Sequence, residues 1–274
     1  MAEVNTWDTE FEFALEIVKK VGEIIKNAFL RDKVVTEKSS ATDLVTETDQ
    51  EVERVLIKGL ENKFPNYRFI GEESVAGGLK CELTHDPTWV IDPIDGTTNF
   101  VHSNPHICTI LAFMVEQEVE FSIVYNPILD QLWTARRGKG AFYNGAKIQV
   151  SSCKSLGSAI LVQEVGSATP DRVNMLTTNS TTFIPRVRSI RSYGSAGINL
   201  VYLAMGSVDA YFEMGFHIWD YAGPSLIVRE AGGVVQDVSG SKIDYLARNI
   251  LAASTPELIE QIRPNISTIT MERD

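Results

Sequence analysis

T-W-V-I-D-P-I-D-G-T-T-N-F, Thr88 to Phe100, is the stretch from which the rest of the chain is read. Its apolar start, Trp89 to Ile91, predicts a short strand. Pro93 removes a backbone donor directly after Asp92, so the ladder is expected to end there with Asp92 at the strand's carboxyl end. Open α/β sheets place their ligands at that end of their strands. Asp95-Gly96 reads as a turn and Thr97 or Thr98 as the cap of a short helix running toward Phe100. A helix start beside a turn glycine offers free N–H groups to an anion.

Upstream, Thr9 to Glu12 has the form of a capping box, and Phe13, Ala14, Ile17, Val18, Val21, Ile24, Ile25 and Ala28 follow at helical spacing. Arg31 to Thr42 is polar and reads as an exposed loop. Thr48 and Glu51 form a second candidate box ahead of Val52, Val55, Leu56 and Leu60, which puts Asp49 in a first helical turn, where its charge suits the helix dipole. Phe69-Ile70 is a short strand running into the acidic loop Gly71-Glu72-Glu73-Ser74.

Downstream the pattern turns to β, with strands expected at Ile107 to Val115, Glu120 to Tyr125, Gln131 to Ala135, Lys147 to Val150 and Ile160 to Val165, and a hairpin turn at Asn144-Gly145. Helices are expected from Pro170 and over Ser195 to Met205, with short strands at Val187 to Arg191 and Ala210 to Phe212. Asp220 is placed as the N-cap of a helix over Tyr221 to Ala231, and a strand at Ile250 to Ala253 leads to a terminal helix. Helices and strands alternate in blocks without a strict βαβ rhythm, which predicts stacked helix and sheet layers with mixed strand directions.

With 274 residues the chain can bury a large core, as one α/β unit or two tightly joined halves. Acidic residues outnumber basic ones 36 to 25, for a formal charge of −11, which argues against nucleic acid or an anionic membrane as partner. An anionic substrate then needs local help from metal ions or helix ends. Cys81, Cys108 and Cys153 form no C-x-x-C pair, consistent with reduced thiols in the cytoplasm. No targeting peptide and no apolar run near the roughly 20 residues of a membrane span is visible.

Glu72, Asp92, Asp95 and Asp220 share a placement, each following a strand or opening a helix. Carboxylates within about 4 Å repel by roughly 4 kcal/mol per pair at an effective dielectric near 20, so a true cluster demands cations. An all-oxygen set suits magnesium, manganese or calcium, and no histidine or cysteine spacing suggests zinc. Spacing makes neighbours of Asp92 and Asp95 only; a metal site and a set of capped turns both remain open at this point.

The motifs resemble a known family. W-V-I-D-P-I-D-G-T-T-N-F is similar to the first signature of the inositol monophosphatase family, I-G-E-E-S at Ile70 to Ser74 to its upstream acidic motif, and W-D-Y-A-G-P-S-L-I-V-R-E-A-G-G at Trp219 to Gly233 to its second signature, in the family's order. The resemblance implies a single catalytic domain over residues 1–274, α/β of the α+β type. Its architecture would be a layered αβαβα sandwich with mixed sheets, like that of fructose-1,6-bisphosphatase.

Carried onto this sequence, the resemblance implies that Glu72, Asp92, the carbonyl of Ile94, Asp95 and Asp220 ligate two or three Mg2+ ions. Gly96 and Thr97 would meet the phosphate through backbone N–H groups. Thr97 and Asp49, with Glu72, would position the attacking water, and Asp220 would face the leaving oxygen. Asp95 and Asp220 also count among the substrate contacts, with Glu213 and Ser195 by side chain and Ala196 by backbone touching the ring. Lys38 matches a basic residue on a mobile loop. Two departures are visible: Pro224, taken as sitting in a first helical turn, and Ser195, where several relatives carry threonine.

The implied activity is hydrolysis of myo-inositol monophosphates by direct attack of a metal-activated water, in a lithium-sensitive homodimer. Rival readings are a superfamily phosphatase acting on a 3′-nucleotide bisphosphate, fructose 1,6-bisphosphate or histidinol phosphate, and a catalytically silent metal-binding scaffold. Loss of a ligand or of the Asp49/Thr97 pair would mark the scaffold, and neither is lost here.

Overall fold

The computed structural model describes residues 7–31, 33, 35–37, 44–166 and 169–274; Lys38 lies outside the described residues. The amino-terminal part runs α1 (Asp8–Phe29), β1 (Val35–Glu37), β2 (Leu44–Thr46), α2 (Glu47–Lys63), β3 (Arg68–Gly71), α3 (Glu72–Ala76), β4 (Thr88–Asp95) and α4 (Thr97–Val101). A meander follows: β5 (Cys108–Val115), β6 (Glu118–Asn126), β7 (Gln131–Arg136), β8 (Gly140–Tyr143) and β9 (Ala146–Ile148). The remainder is β10 (Ile160–Val162), α5 (Pro170–Phe183), β11 (Ser189–Arg191), α6 (Ala196–Ala204), β12 (Ala210–Met214), α7 (Ile218–Glu230), β13 (Val234–Gln236), β14 (Asn249–Ala253) and α8 (Pro256–Ile262).

Two sheets carry the molecule. A seven-stranded sheet has the order β3-β4-β5-β6-β7-β8-β9, with β3 parallel to β4 and every later pair antiparallel. A five-stranded sheet has the order β11-β10-β12-β14-β13, parallel on the β10 side and antiparallel on the β14 side. Alternation of side chains along each strand then builds the layers. Trp89, Ile91, Leu111, Phe113, Phe121 and Ile123 face the helix pair α1 and α2, whereas Val90, Ile110, Ala112, Met114 and Val124 pack on α6 and α7. The small sheet sends Tyr211, Ile250 and Ala252 into that same middle layer and Leu161, Phe212 and Leu251 outward against α5 and α8. The result is the mixed, layered α/β order expected, helix, sheet, helix, sheet, helix. Trp89 and Phe113 are fully buried with ring centroids 4.6 Å apart, and side chains of this size each contribute about 1.5–3 kcal/mol by burial.

Several local expectations are corrected. Pro93 does not end its strand: β4 continues to Asp95, and the register with β5 shifts between Asp92 and Asp95, so Pro93 sits in a bulge where no ladder bond is required of it. Neither sequence-read capping box forms. The first helix starts at Asp8 behind Trp7, with no side-chain cap, and the second starts at Glu47, capped two residues upstream by Thr46 with Asp49 as its reciprocal partner. Glu72-Glu73 opens the short helix α3 rather than a solvated loop. Helix α7 begins at Ile218, which makes Asp220 its third residue and not its cap, and puts Pro224 in the interior. Without an N–H, Pro224 cannot bond the Asp220 carbonyl four residues back, so α7 forgoes one helical bond there. Strands β1, β2, β8 and β13 have no counterpart in the expected elements, and β1, paired antiparallel with β2, lies inside the stretch that reads as an exposed loop; Asn144 and Gly145 (φ 45° and 80°) make the tight turn that joins β8 to β9.

Candidate active site

The bulge in β4 is what gathers the acids. Ile91 is the last residue of β4 paired with β3, through Gly71, and the hydroxyl of Thr109 donates to the Pro93 carbonyl at 2.8 Å, holding the strand's departure in place. Asp92 and Asp95 therefore both stay buried, 1% and 6% exposed. Asp220 reaches the same point from the first turn of α7, where its Oδ2 accepts the His217 N–H at 2.6 Å. One carboxylate oxygen from each of Asp92, Asp95 and Asp220 falls within 4.8 Å of the others, at which spacing each ionised pair repels by about 3–4 kcal/mol at an effective dielectric near 20. Three such pairs in a buried site cannot all stay ionised unless a cation compensates them.

Burial first, and then Glu72 and Asp95, hold the Asp92 carboxyl far above the ordinary carboxylate range. Burial likewise raises Asp220, with Asp95 and Glu72 adding to it. Burial pushes Asp95 up to about 6 although four groups pull the other way: the Ser195 hydroxyl (2.5 Å), the Gly197 and Ala196 N–H groups (2.6 and 3.2 Å) and the Cys108 thiol (3.5 Å). Asp92 Oδ1 is buried with no hydrogen-bond partner, although its carboxyl contacts that of Glu72. An orphaned carboxylate oxygen inside an all-oxygen acid cluster fits a hard divalent cation and not zinc.

A consequence for stability follows from the sign of these shifts. A carboxyl raised in the folded state costs stability as pH climbs from its ordinary value through its folded one, and a cation bound to the ionised cluster reverses that cost. The gain in Tm on adding a hard divalent cation is therefore expected to grow from about pH 5 to about pH 8. Thermal scans showing a gain that is flat across that range would contradict the cluster's role.

Beside the acids lies a second arrangement. Asp49 is completely buried; its Oδ2 accepts the Thr46 N–H at 3.0 Å and the Thr46 hydroxyl, and its Oδ1 faces the Thr97 hydroxyl at 3.3 Å. The Thr97 hydroxyl is also 3.2 Å from the Ile94 carbonyl. Thr97 is thus the first residue of α4, not its cap; the cap position belongs to Gly96, whose φ of 89° is left-handed backbone that a side chain would strain.

Glu72, Asp92, Ile94, Asp95, Gly96, Thr97 and Asp220 line one recess of about 190 Å3. It opens, through Asp95, Thr98, Gly194 and Asp220, onto a cavity of about 390 Å3 that Glu164, Ser195, Ala196 and Glu213 also line. The site residues read from the sequence that fall among the described residues are brought together. The Ser195 hydroxyl and Ala196 N–H are both engaged with Asp95, so at the start of α6 they hold an acid as well as facing the cavity. Glu213 is held by the Arg172 guanidinium at 2.9 Å and by the Tyr211 hydroxyl.

Three residues of the site escaped the sequence reading. Glu53, on a helix face that reads as solvated, is buried and accepts the Glu73 and Ser74 N–H groups at 2.7 and 2.8 Å, which fastens the start of α3 and so Glu72. Glu164 accepts from the Tyr193 and Gly194 N–H groups (2.7 and 3.0 Å), the Ser192 hydroxyl (2.7 Å) and Asn199 (3.0 Å), shaping the cavity wall. It follows β10 as Glu72 follows β3, but β10 ends at Val162 and not at Val165 as its apolar pattern predicts, so in the sequence Glu164 reads as a strand residue. Arg172, the third, offered no signal at all.

The profile of the inositol monophosphatase family matches residues 7–271. Inositol monophosphatase 1 of Homo sapiens is 45% identical over 272 residues, spanning 98% of this chain and 98% of that protein. The chain belongs to the inositol monophosphatase family. Inositol monophosphatase 2 of Rattus norvegicus is 42% identical over 273 residues, 99% of this chain and 94% of its own length. Among solved structures, an IMPase from Thermotoga maritima superposes with a TM-score of 0.85 at 30% identity, covering 94% of this chain and 96% of its own. The extragenic suppressor protein suhB from Bartonella henselae gives 0.86 at 27%, covering 95% and 99%. Family membership over nearly the whole chain accounts for both the layered fold and the acid cluster.

Proposed function

We propose that this protein is a magnesium-dependent phosphomonoesterase that hydrolyses myo-inositol monophosphates to myo-inositol and phosphate. The observation that carries the reading is the Asp49–Thr97 pair set against the buried acid cluster at the mouth of an acid-lined cavity. Glu72, Asp92, the Ile94 carbonyl, Asp95 and Asp220 would hold the Mg2+ ions, which supply Lewis acidity toward the phosphate oxygens and lower the pKa of water.

The chain's own groups supply the rest. Thr97 donates its hydroxyl proton to Asp49, which leaves a Thr97 lone pair to take a hydrogen bond from the attacking water, with Glu72 on the far side of that water. Gly96 and Thr97 N–H groups, free at the start of α4, meet the phosphate. The water oxygen bonds to phosphorus as the ester P–O bond breaks; the attacking water gives up one proton and the leaving ring oxygen, on the Asp220 side, takes one up, so that water is divided between the free hydroxyl and inorganic phosphate. No phosphoenzyme forms. Asp95, Ser195, Ala196, Glu213 and Asp220 surround the ring hydroxyls. A single catalytic domain, a homodimer, lithium sensitivity and a cytoplasmic location, in keeping with three unpaired cysteines, complete the reading. Among the described residues no helix is long and apolar enough to cross a membrane.

The test is a phosphate-release panel of inositol 1-phosphate, an adenosine 3′,5′-bisphosphate, fructose 1,6-bisphosphate and histidinol phosphate, titrated with magnesium and repeated with lithium. Inositol 1-phosphate is expected to have the highest kcat/KM. Preference for the adenosine bisphosphate would overturn the substrate, and no turnover of any ester would favour a silent scaffold.

A further inference from the structure

We propose that Arg172 is a positioning residue that aims Glu213 at the ring of the substrate and thereby sets selectivity for cyclic polyol phosphates over acyclic ones. The inference rests on the reading above in one respect, that the ring occupies the 390 Å3 cavity with Glu213 in its wall.

Arg172 stands in the first turn of α5, 5% exposed and behind the wall rather than in it. Its Nη2 donates to Glu213 Oε1 at 2.9 Å, its Nη1 to the Met214 carbonyl at 2.6 Å and its Nε to the Val165 carbonyl at 3.4 Å. One guanidinium thus joins the end of β12 to the segment after β10, two stretches that face the cavity from different strands.

The surroundings are built for it. Gly166 and Gly215 flank the group with φ of 58° and 95°, and a Cβ on either would stand 2.2 Å from Nη2 or 2.3 Å from Nη1. Neither position tolerates a side chain while the guanidinium is there. A buried ion pair of this kind gives weak stability, because desolvating both charges offsets their attraction. What it does give is a fixed carboxylate. Oε1 is held by Arg172 and Oε2 by the Tyr211 hydroxyl, so the carboxylate plane cannot turn, and each oxygen keeps a lone pair for a hydroxyl donor in the cavity.

Without Arg172 the balance at Glu213 changes. Burial already pushes this carboxyl up to about 7, and Arg172 is the strongest influence opposing it, while Glu164 adds to the rise. Losing the guanidinium leaves Oε1 without its anchor and shifts Glu213 toward the protonated form, which donates as well as accepts and no longer presents two fixed acceptors to ring hydroxyls. The acid cluster and the Asp49–Thr97 pair make no contact with Arg172 and are not part of this effect.

The experiment compares wild type, Arg172→Met, Arg172→Lys, Glu213→Gln and the Met/Gln double variant, all with magnesium, on inositol 1-phosphate and on glycerol 2-phosphate, which carries a phosphate ester but no ring. Arg172→Met is expected to raise KM for inositol 1-phosphate about tenfold with kcat changed less than about threefold, and to lower the ratio of kcat/KM between the two esters by about tenfold. Arg172→Lys keeps the charge but not the fork of donors and should recover part of that ratio. In the Glu213→Gln background the Arg172→Met change should add less than about twofold, because the two act as one unit. Equal losses on both esters, or fully multiplicative effects of the two substitutions, would overturn the proposal. Should Arg172→Met not fold, an unchanged ester ratio in Arg172→Lys overturns it equally. If wild type prefers another cyclic ester in the panel, the substrate reading fails, and the same comparison on that ester still decides the role of Arg172.

Discussion

Asp92→Asn is expected to abolish measurable turnover, a loss of at least about 10³ in kcat/KM, or about 4 kcal/mol of transition-state stabilisation. The substitution is nearly isosteric and sits at the centre of the cluster, where Asp92 Oδ1 has no partner in the protein and its carboxyl touches Glu72. It removes one charge from a set that repels itself, so the fold is not threatened. The cation-free variant should melt no lower than wild type, and should lose most of the gain in Tm that magnesium confers on wild type. Circular dichroism melts with and without magnesium, beside phosphate release, give both halves. Turnover within about tenfold of wild type would remove Asp92 from the metal site and with it the proposed mechanism.

Asp49→Asn is expected to separate chemistry from metal binding. The amide offers one oxygen where the carboxylate offers two. If that oxygen keeps the Thr46 N–H and hydroxyl, which cap α2, the NH2 group turns toward Thr97. Thr97 then accepts where it formerly donated, and its hydroxyl proton, no longer drawn to residue 49, competes with the water for the place its lone pair held. A loss in kcat of about 10²–10⁴ follows, the range of general acid–base assistance, with magnesium affinity changed by less than about threefold. Equal losses in kcat and in magnesium affinity, the latter measured by calorimetry, would show Asp49 acting through the metal site instead.

Much of this was legible because the site is written in short segments. Trp89 to Phe100 carries a strand, two acids, a turn glycine and a helix start within covalent reach of one another, and no tertiary information is needed to make neighbours of Asp92 and Asp95. The errors were errors of register. Thr46, not Thr48, caps α2; both satisfy the same spacing rule, and the choice falls to Thr46 because it closes β2 with extended backbone and meets Asp49 reciprocally. Pro93 was read as a stop, and the bulge absorbed it, since the ladder lost only the bonds a bulge forgoes anyway.

What the sequence determined by itself is therefore the local chemistry: the neighbouring acids Asp92 and Asp95, the helix start after the turn glycine Gly96, the absence of any zinc-like spacing, and the periodicities that sort side chains between layers. The assembly was decided by the tertiary structure alone. Asp220 stands 125 residues beyond Asp95 in sequence, yet the packing of α7 between the two sheets brings it within 4.8 Å of Asp92 and Asp95. Glu53, Glu164 and Arg172 became site residues by the same route. Burial is a property of packed layers and not of spacing, and a charge on a helix face reads as solvated until a second element covers it and its partners are in place.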